Sequence, residues 1–284
     1  MKLASYEVDG TASYGLVVGD GIVDVGRRSD RPGRDLDQVV AEGRVDSLQR
    51  FQAAAPTHPA DRVRWRPPLP GATRIYCVGV NYRSRAAEYT DDAEPSYPSI
   101  FMRTPGSFVG HGQPLRRPPE SQQLDYEGEI AIVIGVGGRR VPEVDAEEHI
   151  AGITLVNEGT LRDWVRHGKF NVTPGKNFEA SGGMGPWIVT RDEVGPLADL
   201  WLRTLVNDEV RQDAPISDMM FPIPYLISYI STFARLHPGD IIVTGTPPGA
   251  GARLDPPRYL EPGDRVDVEV EGIGTLTNGV IDEP

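Results

Sequence analysis

The chain has 284 residues, 39% of them hydrophobic and 25% charged, the profile of a folded globular protein with room for a sizeable core. Its formal net charge of -12, with no Lys/Arg block to reverse it, argues against non-specific binding to nucleic acid or to an anionic membrane. One cysteine, Cys77, excludes an intrachain disulfide and a cysteine-based zinc cluster, and the absence of an apolar leader core or a bilayer-length apolar run makes a cytoplasmic location the expectation.

Glycine and proline together make up about a fifth of the chain without any repeat, which favours many short strands joined by tight turns. The opening 25 residues read as a three-stranded meander, punctuated by the hairpin dipeptides Asp9-Gly10 and Asp20-Gly21. A helix is expected around residues 46–55. The proline-rich "RPPLPG" at 66–71 then interrupts regular structure and sets an expected boundary between a small domain, 1–70, and a larger one, 71–284. "RIYCVGV" (74–80) reads as a buried strand, "NYRSRAAEY" (81–89) as one or two helical turns, and the residues after it as a loop. From 124 onward strands dominate, with one clear helix expected over 224–240, ending at His237 and Pro238-Gly239. The fold class is therefore α+β, mostly β.

The segment "LDYEGEIAIVIG" (124–135) carries the chemistry. Alternation puts Glu127 and Glu129 on one face of a strand, followed on that face by Ala131 and Val133, while Gly128 leaves the opposite face open to close approach. Two like charges on a buried face resist joint ionisation unless a cation lies between them. Glu158 closes another apolar strand and can converge on the same point, giving three hard oxygen donors suited to Mg²⁺, Mn²⁺ or Ca²⁺. The alternative reading pairs each acid with an arginine or with water. Two glycine-bearing loops, "GKNFEASGGMGP" (175–186) and "IIVTGTPPGAG" (241–251), bring Lys176 beside an acid and Thr244-Gly245-Thr246 into a possible anion cradle.

In combination these motifs resemble the fumarylacetoacetate hydrolase family, which includes acylpyruvases, oxaloacetate decarboxylases and isomerase-decarboxylases. The resemblance rests on "GVNYRSRAAE", "FMRTPGSFVG", "LDYEGEIAIVIG", "VNEGTLRDW", "GKNFEASGGMGP", "VNDEVRQ" with "SDMMF", and "LHPGDIIVTGTPPGAG", in that order. It implies a mixed β-roll core behind a small N-terminal β-rich domain, a Mg²⁺ or Mn²⁺ site and a homodimer. By position it assigns the metal to Glu127, Glu129 and Glu158, and the steadying of developing negative charge to Lys176. It places Thr246, Gly245, Arg211, Gln212, Tyr82 and Arg103 around the substrate.

Departures from the family pattern are equally informative. Arg85 stands where hydrolytic members carry a histidine three residues before Glu88, and arginine cannot take a proton from water. Arg85 is instead suited to a substrate carboxylate or an oxyanion, with Glu88 as the base. Glu158 and Glu179 stand where aspartates are expected, both in the inner shell, and Arg103 replaces a lysine. Cys77 reads as inert core, and His111 and His167 as capping or surface residues. The resulting expectation is a metal-dependent enzyme acting on a small 1,3-dicarbonyl or 2-oxo acid through a metal-stabilised enolate, as a C–C bond hydrolase. Decarboxylation, isomerisation, dehydration or cyclisation on the same scaffold is the alternative, and a non-catalytic metal- or ligand-binding protein a third reading.

Overall fold

The computed structural model describes residues 1–28, 35–83, 95–168 and 171–284. Two sheets organise them. In the larger, of twelve strands among the described residues, His58–Pro59, Gly21–Asp24, Thr11–Val18, Lys2–Val8, Gly182–Thr190, Ile150–Asn157, Gly128–Ile134, Ile241–Val243, Ile75–Gly79 and Ser99–Arg103 lie side by side in that order. The smaller sheet runs Glu209–Pro215, Trp201–Val206, Arg265–Val270, Gly274–Asp282 and Leu115–Arg117. A two-stranded ladder, Leu124–Asp125 with Thr160–Leu161, sits at the end of the central strands.

The expected meander forms, with Leu3 opposite Leu16 and Leu16 opposite Val23. It does not stand apart: Lys2 and Leu3 pair with Val189 and Ile188, so the large sheet is continuous across residue 70.

Strand Gly128–Ile134 is buried along its whole length because both faces meet core. Ile130, Ile132 and Ile134 pack with Leu202 and Val268 of the smaller sheet and with the helix Ile223–Phe233, whereas Ala131 and Val133 pack with Leu3, Val156 and Met184. At its start, Gly128 lies so near the smaller sheet that a Cβ there would come within 1.9 Å of Thr204 Oγ1. The absent side chain lets the two sheets close.

Two helical expectations need correction. Residues 46–55 do not form an α-helix; a helix Leu36–Ala41, capped by Asp35 through a 2.9 Å bond from the Gln38 N–H, precedes a 3₁₀ turn over Val45–Phe51. The later helix ends at Phe233 and not at 240, because Ala234 turns extended (φ -120°, ψ 143°) and Leu236 pairs its backbone with Gly138 in both directions, at 2.8 and 3.0 Å. This isolated bridge, and not the proline, stops the helix. No described helix is long and apolar enough to cross a membrane.

Candidate active site

Three carboxylates meet where the central strands end. Adjacent antiparallel pairing sets Gly128 opposite Asn157, which brings Glu127 and Glu129 alongside Glu158. One oxygen from each lies within 4.8 Å of the others, and all three residues are buried. Backbone bonds hold the convergence: the Glu158 N–H donates to the Glu127 carbonyl at 2.7 Å, and the Glu127 N–H donates to Asn157 Oδ1 at 3.0 Å.

Cations already lie in this cluster. Lys176 Nζ is 2.5 Å from Glu127 Oε2 and 2.6 Å from Glu158 Oε2, and sits 5.1 Å from the centre of the Phe101 ring. Burial opposes its charge, but Glu127 and Glu158 override that and hold its pKa above the ordinary lysine value. Lys176 ends a short helical turn, Thr173–Lys176, and Gly175 just before it has no room for a Cβ against Val165 and the Leu161 carbonyl. Glu129 accepts from the Gly245 N–H at 2.5 Å, yet burial and the neighbouring Glu158 and Glu127 push its carboxyl well above the usual carboxylate range. Glu158 Oε1 is buried with no hydrogen-bond partner. A buried carboxylate oxygen without a donor is costly. Three hard oxygen ligands, one of them orphaned, fit a divalent cation such as Mg²⁺ or Mn²⁺.

Sequence reasoning missed Arg162 and Asp125. Arg162 donates from Nη2 to Glu127 Oε1 at 2.8 Å and from Nε to Asp125 Oδ2 at 2.7 Å, and these acids raise its pKa despite burial. Asp125 in turn accepts the backbone N–H groups of Gly251 (2.8 Å) and Ala252 (3.0 Å), fastening the glycine-bearing loop to the acidic floor. Asp125 precedes Glu127 by two residues, so strand alternation was a usable signal. Arg162 follows a break in the strand, where periodicity carries no information.

The expected substrate residues separate into groups. Thr246 lines a cavity of about 880 Å³ together with Glu127, Glu129, Glu158, Lys176 and Arg162. Gly245 adopts φ +100° and supplies the N–H that holds Glu129. Gln212 is buried away from the cavity and acts as a latch: its amide donates to Thr246 Oγ1 and the Pro247 carbonyl, both at 2.8 Å, and accepts from the Gly128 N–H at 2.9 Å. Arg211 faces a different, 430 Å³ cavity and pairs with Glu209 at 2.9 Å. Tyr82 is wholly buried in the core, its hydroxyl without a partner. Arg103 is also wholly buried, bonding Ser107 Oγ and carbonyl, the Gly159 carbonyl and Ser181 Oγ at 3.0–3.2 Å and facing the Phe108 ring. Arg103, whose guanidinium nitrogens are all held by protein, Tyr82 and Arg211 are not among the residues that line the cavity of the three carboxylates.

Glu179 also requires correction, since its side chain is 74% exposed and its partner is Arg116 at 3.6 Å. It lies outside the inner shell because the chain turns outward after Lys176. His111 accepts from the Thr277 N–H at 3.1 Å and the His167 ring lies tilted against Trp164, and neither histidine lines the cavity of the carboxylates. Cys77 is buried in its strand, where burial and the nearby Glu158 raise its thiol pKa. Arg85, Glu88 and most of the helical turns expected over 81–89 lie outside the described residues.

A two-sheet β fold closed over a buried acidic centre defines a class of enzyme scaffold, and comparison with known proteins places the chain within it. Residues 74–281 match the family described as fumarylacetoacetate (FAA) hydrolase C-terminal, and the chain belongs to that enzyme family. It is 40% identical over 222 residues to the oxaloacetate tautomerase YisK of Bacillus subtilis, covering 77% of this chain and 73% of that relative. Among solved structures, a fumarylacetoacetate hydrolase from Exiguobacterium antarcticum superposes with a TM-score of 0.87 at 35% identity, covering 100% of both chains. Maleylpyruvate hydrolase from Sphingobium sp. SYK-6, solved with manganese(II) and pyruvate, gives 0.83 at 26% identity, again over 100% of both.

Proposed function

We propose that this chain is a divalent-metal-dependent isomerase that interconverts the keto and enol forms of a 2-oxo acid. The observation that carries the reading is the buried convergence of Glu127, Glu129 and Glu158 on one wall of a cavity that Lys176 and Thr246 also line. A divalent ion held by the three carboxylates supplies Lewis-acid charge that a chelating 2-oxo acid would use to acidify the carbon next to its carbonyl.

The protein's own groups supply the rest. Lys176, kept protonated by its carboxylate neighbours, neutralises negative charge as it grows on the carbonyl oxygen. Thr246 is fixed beside the acids, its hydroxyl donating at 2.9 Å to the carbonyl of Gly128, between Glu127 and Glu129. We assign the moving proton to Glu88 and a substrate carboxylate to Arg85. An arginine at position 85 cannot activate water, which favours proton transfer at carbon over hydrolysis. The similarity to an oxaloacetate tautomerase supports the same direction.

A C–C bond hydrolase is the second reading, favoured by the full-length likeness to maleylpyruvate hydrolase, with Glu88 acting on water. The test is oxaloacetate in D₂O with Mg²⁺ or Mn²⁺, followed by proton NMR. Enzyme-dependent exchange at the methylene carbon without C–C cleavage, suppressed by chelator, is expected. Absence of exchange together with rapid cleavage of an acylpyruvate would overturn the isomerase reading in favour of hydrolysis.

A further inference from the structure

The 430 Å³ cavity that Arg211 faces shares a wall with the cavity of the three carboxylates, since Pro257 and Tyr259 line both. Strand alternation divides neighbouring residues between the two. Glu127 turns into the carboxylate cavity and Tyr126 into the second one. Likewise, Gln212 reaches the loop at Thr246 while Arg211 lines the second cavity. The shared wall is tied to its surroundings by hydrogen bonds. Tyr126 donates its hydroxyl to the Gly249 carbonyl at 2.9 Å, and the Arg258 N–H donates to the Gly251 carbonyl at 2.9 Å. Gly251 in turn gives its own N–H to Asp125, and Asp125 accepts from Arg162, which also holds Glu127. A chain of hydrogen bonds thus runs from Arg258, on the second cavity, to an acid of the first.

Arg117, Arg211 and Arg258 line this second cavity, and their charge is incompletely matched. Arg117 pairs with Asp282 at 2.8 Å. Arg211 and Arg258 share one carboxylate, that of Glu209, at 2.9 and 4.0 Å, and the Glu209 side chain is 60% exposed. Arg211 Nε is buried without a hydrogen-bond partner, a costly state for a cationic donor. Of the two acids in the wall, Glu261 and Asp264, the latter is already engaged by Asn207 Nδ2 at 2.7 Å and by the Glu261 N–H at 2.8 Å. What these arginines call for is an acceptor with several charged oxygens, which a phosphate group presents to guanidinium forks. The volume lies within the range of about 300–1,000 Å³ of small-molecule sites, which leaves room for a small body on the phosphate beside Tyr126 and Tyr259. We infer that this second cavity binds the phosphate group of a small phosphorylated metabolite through Arg211 and Arg258, and that occupancy steadies the segment 249–259 beside the acids. The inference stands apart from the isomerase reading, which concerns the other cavity.

The experiment titrates inorganic phosphate, and separately acetate, into metal-free protein by calorimetry, and follows amide hydrogen exchange at Gly251 and Ala252 with and without phosphate. One phosphate per chain is expected, with acetate bound more weakly and with exchange at both amides slowed by phosphate. Arg211→Gln and Arg258→Gln are each expected to weaken phosphate binding by about tenfold, the loss that goes with a hydrogen bond to a charged group. Arg258 is 60% exposed, so its replacement leaves the fold in place and keeps the test sound if Arg211→Gln does not fold. Arg166→Gln, on the wall of the carboxylate cavity, should leave phosphate binding unchanged. Absence of phosphate binding overturns the inference, as does binding that survives both Arg211→Gln and Arg258→Gln or is lost in Arg166→Gln instead. Equal binding of acetate overturns the choice of phosphate, and unchanged exchange at saturating phosphate overturns the link to the segment beside the acids.

Discussion

Lys176 Nζ lies 2.6 Å from Glu158 Oε2, so the cluster carries its own cation even before a metal ion is considered. The same ammonium also bonds Glu127. Replacing Lys176 by Met keeps the length of the side chain and leaves the two carboxylates facing each other without it. Breaking a buried pair by removing one partner costs about 3–5 kcal/mol. Urea unfolding of metal-free Lys176→Met should show a loss of that order, partly restored by saturating Mn²⁺, which binds only the folded protein. Equal stability of the two metal-free proteins would show that the lysine does not balance the acids.

Arg103 is the largest fully buried side chain among the described residues and anchors the Gly159 and Ser107 carbonyls. Arg103→Met strips those carbonyls of their donors, and each orphaned buried acceptor costs about 1–3 kcal/mol. The expected result is a loss of about 3 kcal/mol in urea unfolding, with affinity for the substrate little changed in whatever fraction remains folded. A change confined to substrate affinity would return Arg103 to the cavity wall.

Asp37 supplies a pH test remote from the site. Burial, reinforced by Asp35, pushes its carboxyl up to about 6; Oδ1 accepts the Gly71 N–H and Oδ2 has no partner. The folded chain therefore holds the proton more tightly than the unfolded chain. Stability from this group is present below the unfolded value of 3.8 and is lost as pH rises to about 6. Asp37→Asn keeps the bond to Gly71, so it should gain about 1 kcal/mol at pH 7.5 after allowance for partial exposure, and nothing at pH 3.5. A gain that does not vary with pH would contradict the titration.

Arg85 separates a lost base from a remodelled site. If it is only a lost base, Arg85→His should raise acylpyruvate hydrolysis by the roughly 10²- to 10⁴-fold that a positioned general base supplies. The isomerase reading expects hydrolysis to stay low and 2-oxo acid exchange to fall, because histidine lacks the charged fork. Steady-state assays of both reactions on one preparation decide the matter.

Much of this site is legible in the chain because strand alternation is a strict rule. Glu127 and Glu129 two apart, with an apolar run behind them, could face only one way, and Glu158 could join them once its strand paired alongside. What stayed hidden lies where alternation breaks. Arg162 sits beyond a strand interruption, and its reach to Asp125 and Glu127 depends on tertiary pairing. Glu179 is three residues from Lys176, yet points to solvent. Gln212 and Arg211 are neighbours that alternate to opposite sides of one strand, so only the former reaches the loop at Thr246. The helix end was misplaced for a similar reason: Leu236 looks helical by spacing, but its backbone is claimed by Gly138.

The central claim is that Glu127, Glu129 and Glu158 hold one divalent ion, and calorimetric titration of Mn²⁺ into metal-free protein tests it most directly. The account predicts a single site, with Glu127→Gln and Glu129→Gln each weakening it severely while the fold, followed by circular dichroism, is retained. Unchanged Mn²⁺ binding in both variants would contradict it.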